Sequence, residues 1–200
     1  MRQIGIIIQV HRASTRLPNK CYKQIGDKQL IDIVIDQVKK ANIEPIILAT
    51  SHKDIDFDAC EDAAIRNNVL HSHWCWDWNV IGRAINSAKE HNIDVIVRVC
   101  SDNPFLNPID IRRLVYYWQK HPEYQLVKFK NRFGIQLATI DALIESVKHL
   151  PYAPLKERED VTKFIYENPK LFKVKELNHS VDNECDFEEV RDYYENFHHC

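Results

Sequence analysis

The residues best suited to chemistry crowd into one stretch. Gln9 to Lys20 reads QVHRASTRLPNK, and within nine residues it carries the cations Arg12, Arg16 and Lys20 and the hydroxyls of Ser14 and Thr15. Fixed positive charges answer a polyphosphate, and hydroxyls offer directional hydrogen bonds to its non-bridging oxygens. Pro18 fixes its own φ, so part of the loop's ordering cost is met before a ligand arrives. The plainer alternative is a solvated basic loop. A second candidate is Asp102, in Ser101-Asp102-Asn103-Pro104 directly after the β-branched run IDVIVRVC. A carboxylate there can hold a hard cation against phosphate oxygens. Alternatively, Asp102 or Asn103 only starts a turn before Pro104. A third stretch, Ser72 to Asn79 (SHWCWDWN), sets Trp74, Trp76 and Trp78 at every second position, with His71, His73, Cys75 and Asp77 interleaved. It reads as an aromatic wall beside a base or sugar, as a metal site, or as a loop whose tryptophans seal a core edge or a subunit contact.

The elements that must position these residues alternate. Gly5 to Val10 is strand-like, and a helix with a broad apolar face follows from about Lys28 to Lys40. Glu44 to Thr50 is a buried strand that brings Thr50 and Ser51 to the same edge as the first loop if the strands are parallel. Asp54 to Asn68 reads as a helix, Val69 to His71 as a strand, and Val80 to His91 as a helix with Gly82 and Arg83 in its first turn. Ile93 to Cys100 is the strongest strand, of the kind found at the centre of a parallel sheet. Pro108 opens a helix to about Lys120. Then come a strand at Tyr124 to Lys130, helices at Ile140 to Leu150 and Glu157 to Glu167, and a strand at Leu171 to Leu177. His179 to Asp182 is a short extension before a closing helix, Asp186 to Phe197. Alternating βαβ units predict an α/β fold with ligands beyond the carboxyl ends of the strands.

Two hundred residues suit one domain, taken as 1–200. A net charge of −2 argues against a general nucleic-acid binder. Cys21, Cys60, Cys75, Cys100, Cys185 and Cys200 show no C-x-x-C spacing, which fits reduced thiols in the cytoplasm better than a disulfide framework. The apolar runs are too short for a signal peptide or a bilayer span, so no membrane partner is expected.

Several separated stretches resemble the cytidylyltransferases that make CMP-activated sugars, most nearly the spore coat polysaccharide biosynthesis branch related to the acylneuraminate and 3-deoxy-manno-octulosonate enzymes. The family's Q-A-R-x-G-S-T-R-L-P-x-K stands here as Gln9 to Lys20 with Ser14, Thr15, Arg16, Leu17, Pro18 and Lys20 kept. Its V-I-V-R-x-x-x-D-x-P is matched by Val95, Ile96, Val97, Arg98, Asp102 and Pro104. Its R-E-x-V-T is matched by Arg158, Glu159, Val161 and Thr162, and its closing motif by Val181, Asp182, Asp186, Val190 and Arg191. The resemblance implies a Rossmann-like three-layer α/β/α sandwich with a mostly parallel mixed sheet, of the nucleotide-diphospho-sugar transferase type. It implies attack of an acceptor oxygen on the α-phosphate of CTP, in a cytoplasmic homodimer. Arg16 and Lys20 would hold the β- and γ-phosphates, Asp102 and Asp182 would bind Mg2+, and Arg83, Thr50 and Ser51 would lie near base or ribose. Arg12, Ser14 and Thr15 complete the expected nucleotide site. The chain departs from the pattern at His11 (Arg), Ala13 (Gly), Ala138 (an acid) and Asp160 (His). Those departures leave room for a catalytically degenerate nucleotide-binding or assembly subunit. A nucleotide-sugar-dependent glycosyltransferase would usually show D-x-D, and Ser101-Asp102-Asn103 lacks the second aspartate.

Overall fold

The computed structural model describes residues 2–10, 17–51, 57–74, 79–131, 134–150 and 160–196. In chain order the elements are β1 (Ile4–Gln9), β2 (Gln24–Ile25), β3 (Lys28–Gln29), α1 (Leu30–Lys39), β4 (Ile46–Thr50), α2 (Phe57–Arg66) and β5 (Leu70–His73). They continue as α3 (Val80–Glu90), β6 (Val95–Cys100), α4 (Pro108–Lys120), β7 (Leu126–Phe129), β8 (Ile135–Thr139), α5 (Ile140–Lys148), α6 (Lys163–Glu167), β9 (Val174–Leu177) and α7 (Glu184–Asn196).

Among the described residues, seven strands form one sheet in the order β5-β4-β1-β6-β8-β7-β9. β8 alone runs against the rest, because it pairs antiparallel with both β6 and β7 while the other pairings are parallel. β6 is the middle strand, as its β-branched run requires: both faces of it must be covered. On one face Ile6, Ile8, Val97, Val99 and Leu137 pack with Val34 and Ile35 of α1, Cys60 and Ala63 of α2, and Ile111 and Leu114 of α4. On the other, Ile7, Ile47, Ile96 and Leu126 pack with Ile81 and Ala84 of α3, Leu143 of α5 and Ile165 of α6. The result is the α/β/α sandwich with a mostly parallel mixed sheet that the resemblance implied.

Four readings of the sequence need correction. β8 was absent from them, because a fully buried five-residue strand shows no alternation and runs straight into α5. Thr139 is both the last residue of β8 and the cap of α5, where its hydroxyl accepts from Ala142 N–H at 3.3 Å. Lys28 does not open α1 but pairs with Ile25 in a small hairpin turned at Gly26, whose φ is +66°. The helix expected from Glu157 begins only at Lys163, since the Asp160 carboxylate accepts Thr162 N–H at 3.2 Å and sets a turn there. His179 to Asp182 bends rather than extends.

One contact on α1 gives a pH-dependent expectation. Asp32 accepts Gln29 N–H (3.1 Å), closing a capping box, and also binds Arg66 (2.8 Å) and Asn67 (2.6 Å). Burial pushes its carboxyl up, but the bonds from Asn67, Arg66 and Gln29 outweigh that and hold it below its ordinary 3.8. A depressed carboxyl stabilises the fold above its unfolded value, and that contribution is lost as pH falls through the folded one. Asp32→Ala should therefore cost about 1–2 kcal/mol in urea denaturation at neutral pH. The gap from wild type should begin to narrow at about pH 4 and shrink further as pH falls through the depressed folded value.

Candidate active site

Along the parallel strands the chain moves outward from β1 to β4 and β5, then crosses back to β6 on the other side of β1. The crevice beyond the carboxyl ends of β1 and β6 is thus the switch point, where connections diverge and ligands bind in sheets of this kind. Both candidate loops leave from it. Ser101 N–H reaches Gln9 C=O at 3.3 Å, and Val10 N–H reaches Ala49 C=O at 3.0 Å, so the strand ends are tied together.

Lys20 opens a single 3-10 turn, Lys20–Tyr22, entered through Asn19 in the left-handed region (φ 56°). Cys21, next to it, is fully buried in the core, so the turn is anchored while the lysine stem stays outside. Its ammonium meets the Asp102 carboxylate. Asp102 follows β6 in a loop pinned at both ends. Asn103 N–H bonds Cys100 C=O (3.4 Å), and Asn107 caps α4 by accepting Ile109 N–H (3.0 Å) ahead of Pro108. A Cβ at Gly134 would stand 3.0 Å from Asn103 Nδ2, so the start of β8 lies close beneath the loop and a side chain there would make Asn103 shift by a few tenths of an ångström. The Asp102 carboxylate faces Lys20 across the switch point, which is more than a turn-starting aspartate does.

The remaining expected site residues are placed as follows. Thr50 and Ser51 are fully buried at the end of β4. Arg83 is fully buried on α3 and donates to Val10 C=O at 3.2 Å, under the root of the first loop. Asp182 lies in the turn between β9 and α7, on the same sheet edge as Asp102 but three strand positions from β6. That turn is firmly built: Asp186 accepts from Asn178 Nδ2 and from Asp182 N–H, each at 3.0 Å, Arg113 donates to Asn178 C=O, and Ser180 donates to Asp182 Oδ2. The Asn178 bond, with the backbone amides of Asp182 and Asn183, holds the Asp186 carboxyl below its ordinary value despite some desolvation. Arg12, Ser14, Thr15 and Arg16 lie outside the described residues, as do His11, Ala13, Arg158 and Glu159.

In the tryptophan stretch, Trp74 Nε1 donates to Glu90 at 2.8 Å and Ser72 Oγ to the same oxygen at 2.5 Å, tying the end of β5 to the end of α3. Cys75, Trp76, Asp77 and Trp78 lie outside the described residues. Burial, then His73, pushes the His71 imidazole down. Among the described residues, no group of three or more His, Cys, Asp or Glu is arranged to hold a metal.

Sequence reasoning missed a polar row across the sheet. Arg98, Gln136, Lys128 and Glu176 are register partners on β6, β8, β7 and β9 and share one face. Arg98 donates to Gln9 Oε1 (2.8 Å) and Gln136 Oε1 (3.2 Å), Thr162 Oγ1 donates to Gln136 Oε1 (2.7 Å), and Lys128 pairs with Glu176 (2.6 Å). Asp160 accepts from Tyr166 at 3.2 Å, and burial followed by that carboxylate pushes the Tyr166 hydroxyl up to about 12. Burial also raises the Cys100 thiol, against Arg98, and the carboxylates of Asp102 and Asp160 raise it further. Asp160 therefore stands within electrostatic reach of the tip of β6. The available signal was Gln9 and Arg98, polar residues inside otherwise apolar strands. Ala138, at the family's acidic position, is fully buried beside Ile96 and Leu126.

A doubly wound sheet with a lysine and an aspartate meeting at its switch point defines an α/β protein with a charged ligand crevice. The comparisons narrow this. Residues 5–200 match the family described as Cytidylyltransferase, and the chain belongs to that family. It is 34% identical over 181 residues to an uncharacterised protein of Methanocaldococcus jannaschii, covering 87% of this chain and 71% of that one. It is 24% identical over 214 residues to the spore coat polysaccharide biosynthesis protein SpsF of Bacillus subtilis, covering 98% and 88%. Its fold superposes on a cytidylyltransferase from Leptospira borgpetersenii with a TM-score of 0.82 at 23% identity, covering 98% of this chain and 88% of that one.

Proposed function

We propose that this protein transfers CMP from CTP to a sugar or related small acceptor and releases pyrophosphate, as a cytoplasmic homodimer serving surface polysaccharide or glycoconjugate synthesis. The observation that carries the reading is the meeting of Lys20 and Asp102 at the switch point of a sheet whose family is cytidylyltransferase. In the reaction an acceptor oxygen forms a bond to the α-phosphorus and the bond to the bridging oxygen breaks. Pyrophosphate leaves with that electron pair, and the acceptor hydroxyl gives up its proton. Such transfers depend on positioning and charge neutralisation, so no protein nucleophile is needed. Arg16 and Lys20 neutralise the β- and γ-phosphates, with Arg12, Ser14 and Thr15 along the same loop. Arg83 supports the loop from Val10, and Thr50 and Ser51 close the base side.

The donors suit Mg2+. Asp102 and Asp182 are hard, solvent-accessible carboxylates on one sheet edge. That matches an ion that keeps waters and takes phosphate oxygens to complete its shell. When bound, Mg2+ would supply charge neutralisation across the phosphates. No helix among the described residues is long and apolar enough to cross a membrane.

The test is pyrophosphate release on mixing the full chain with CTP, Mg2+ and a panel of acidic sugars, neutral sugars and alditol phosphates. One acceptor should release pyrophosphate well above the acceptor-free blank. CTP binding with no release across the panel would instead mark a nucleotide-binding subunit.

A further inference from the structure

Lys20 and Asp102 have separate tasks in the reaction above, one toward phosphate and one toward a cation, yet they hold each other. An ammonium group is a compact, strongly hydrated point charge on a flexible stem, the side chain most able to stand where a small metal ion would. The turn fixes the Lys20 backbone through buried Cys21, and the stem remains free to swing. Both partners are partly open to water, at 25% and 37% side-chain exposure, so the pair can exchange without unfolding anything.

We propose that Lys20 is the resident counter-ion of Asp102, holding the cation position until a triphosphate draws it away. This rests on the assignment of Asp102 to the cation and Lys20 to phosphate. An ammonium in contact with the carboxylate repels an arriving divalent ion and occupies the lone pairs it needs. A triphosphate offers the ammonium a richer anion, which frees Asp102 for the metal. Charge is then matched in both states: ammonium with carboxylate before binding, ammonium with phosphate and carboxylate with metal after it. The free protein should bind a divalent cation poorly, with nucleotide and cation entering together. Lys20 thus sets the order of binding as well as contacting substrate.

The test uses Mn2+ alone as the probe, titrated by electron paramagnetic resonance against the full chain without nucleotide. Lys20→Met should bind Mn2+ about tenfold more tightly than wild type, equivalent to about 1.4 kcal/mol. Lys20→Arg, which keeps a cation, should stay with wild type. In the double variant Lys20→Met, Asp102→Asn the gain should vanish. Circular dichroism melts of all variants confirm the fold. Nucleotide-free Mn2+ affinity of Lys20→Met within about twofold of wild type overturns the proposal, as does a Lys20→Arg that gains as Met does. A gain that persists in the double variant instead overturns the cation assignment of Asp102 beneath it, so the two failures are distinguishable.

Discussion

Asp102→Asn should leave the protein folded and reduce Mg2+-dependent turnover by about 10²–10³-fold at saturating CTP. The substitution keeps size and removes charge, so it isolates the electrostatic part of the role. Its structural cost should be small. The pair with Lys20 is partly exposed, and such pairs contribute about 0–1 kcal/mol. Metal-free CTP binding should hold or tighten slightly, since the variant releases Lys20 from its carboxylate partner. Asp182→Asn should lower turnover in the same direction. Its distance across the sheet makes the comparison informative: the strand ends of β6 and β9 lie three spacings apart, roughly 14 Å, so Asp182 shares an ion with Asp102 only if its turn reaches back toward β6. The bonds that Asp186, Asn178 and Arg113 place on that turn fix its conformation. Steady-state assays with saturating CTP and acceptor measure both variants. Full Mg2+-dependent activity in Asp102→Asn would sink the mechanism.

The parts of the fold legible in the sequence are those whose pattern is strong and local. β6 announces itself by a β-branched run, α4 by Pro108 behind an Asn cap, and the parallel order by the alternation of elements. β8 is hidden because full burial removes alternation, whereas α6 is legible as a helix and only its start is not, since the Asp160 side chain sets a turn ahead of Lys163. The site divides the same way. Lys20 and Asp102 could be picked from charge placed at strand ends, and the structure brings them together. The Arg98-Gln136-Lys128-Glu176 row could not, because its members are far apart in sequence and meet only through antiparallel β8, the strand that was missed. Burying Arg98, Gln136 and Lys128 is expensive unless they find partners, and Gln9 serves Arg98, Thr162 serves Gln136 and the exposed Glu176 serves Lys128. The row ties β1, which leads into the cationic loop, to the segment holding Asp160.

Lys20→Ala and Arg16→Ala should each weaken CTP binding by about tenfold to a hundredfold, since a charge-assisted contact contributes about 1.5–3 kcal/mol. The fold should survive Lys20→Ala, because the anchor of that turn is Cys21 and, among the described residues, the ammonium meets the Asp102 carboxylate at the surface. Arg16 lies outside the described residues, so its variant probes the loop directly by function. A general loss of positive charge is the competing explanation, and Lys23 separates the two. Lys23 is exposed just past the same turn, and its backbone N–H, not its ammonium, bonds Lys20 C=O. Removing its charge changes the long-range field about as much as removing that of Lys20. At physiological salt such a field is screened over roughly 8 Å, whereas a contact to phosphate is not. Calorimetric titration with CTP should therefore find Lys23→Ala within about twofold of wild type. The defect of Lys20→Ala should persist at high salt. Equal losses in Lys20→Ala and Lys23→Ala, both fading as salt rises, would show that the loop attracts the nucleotide without gripping it.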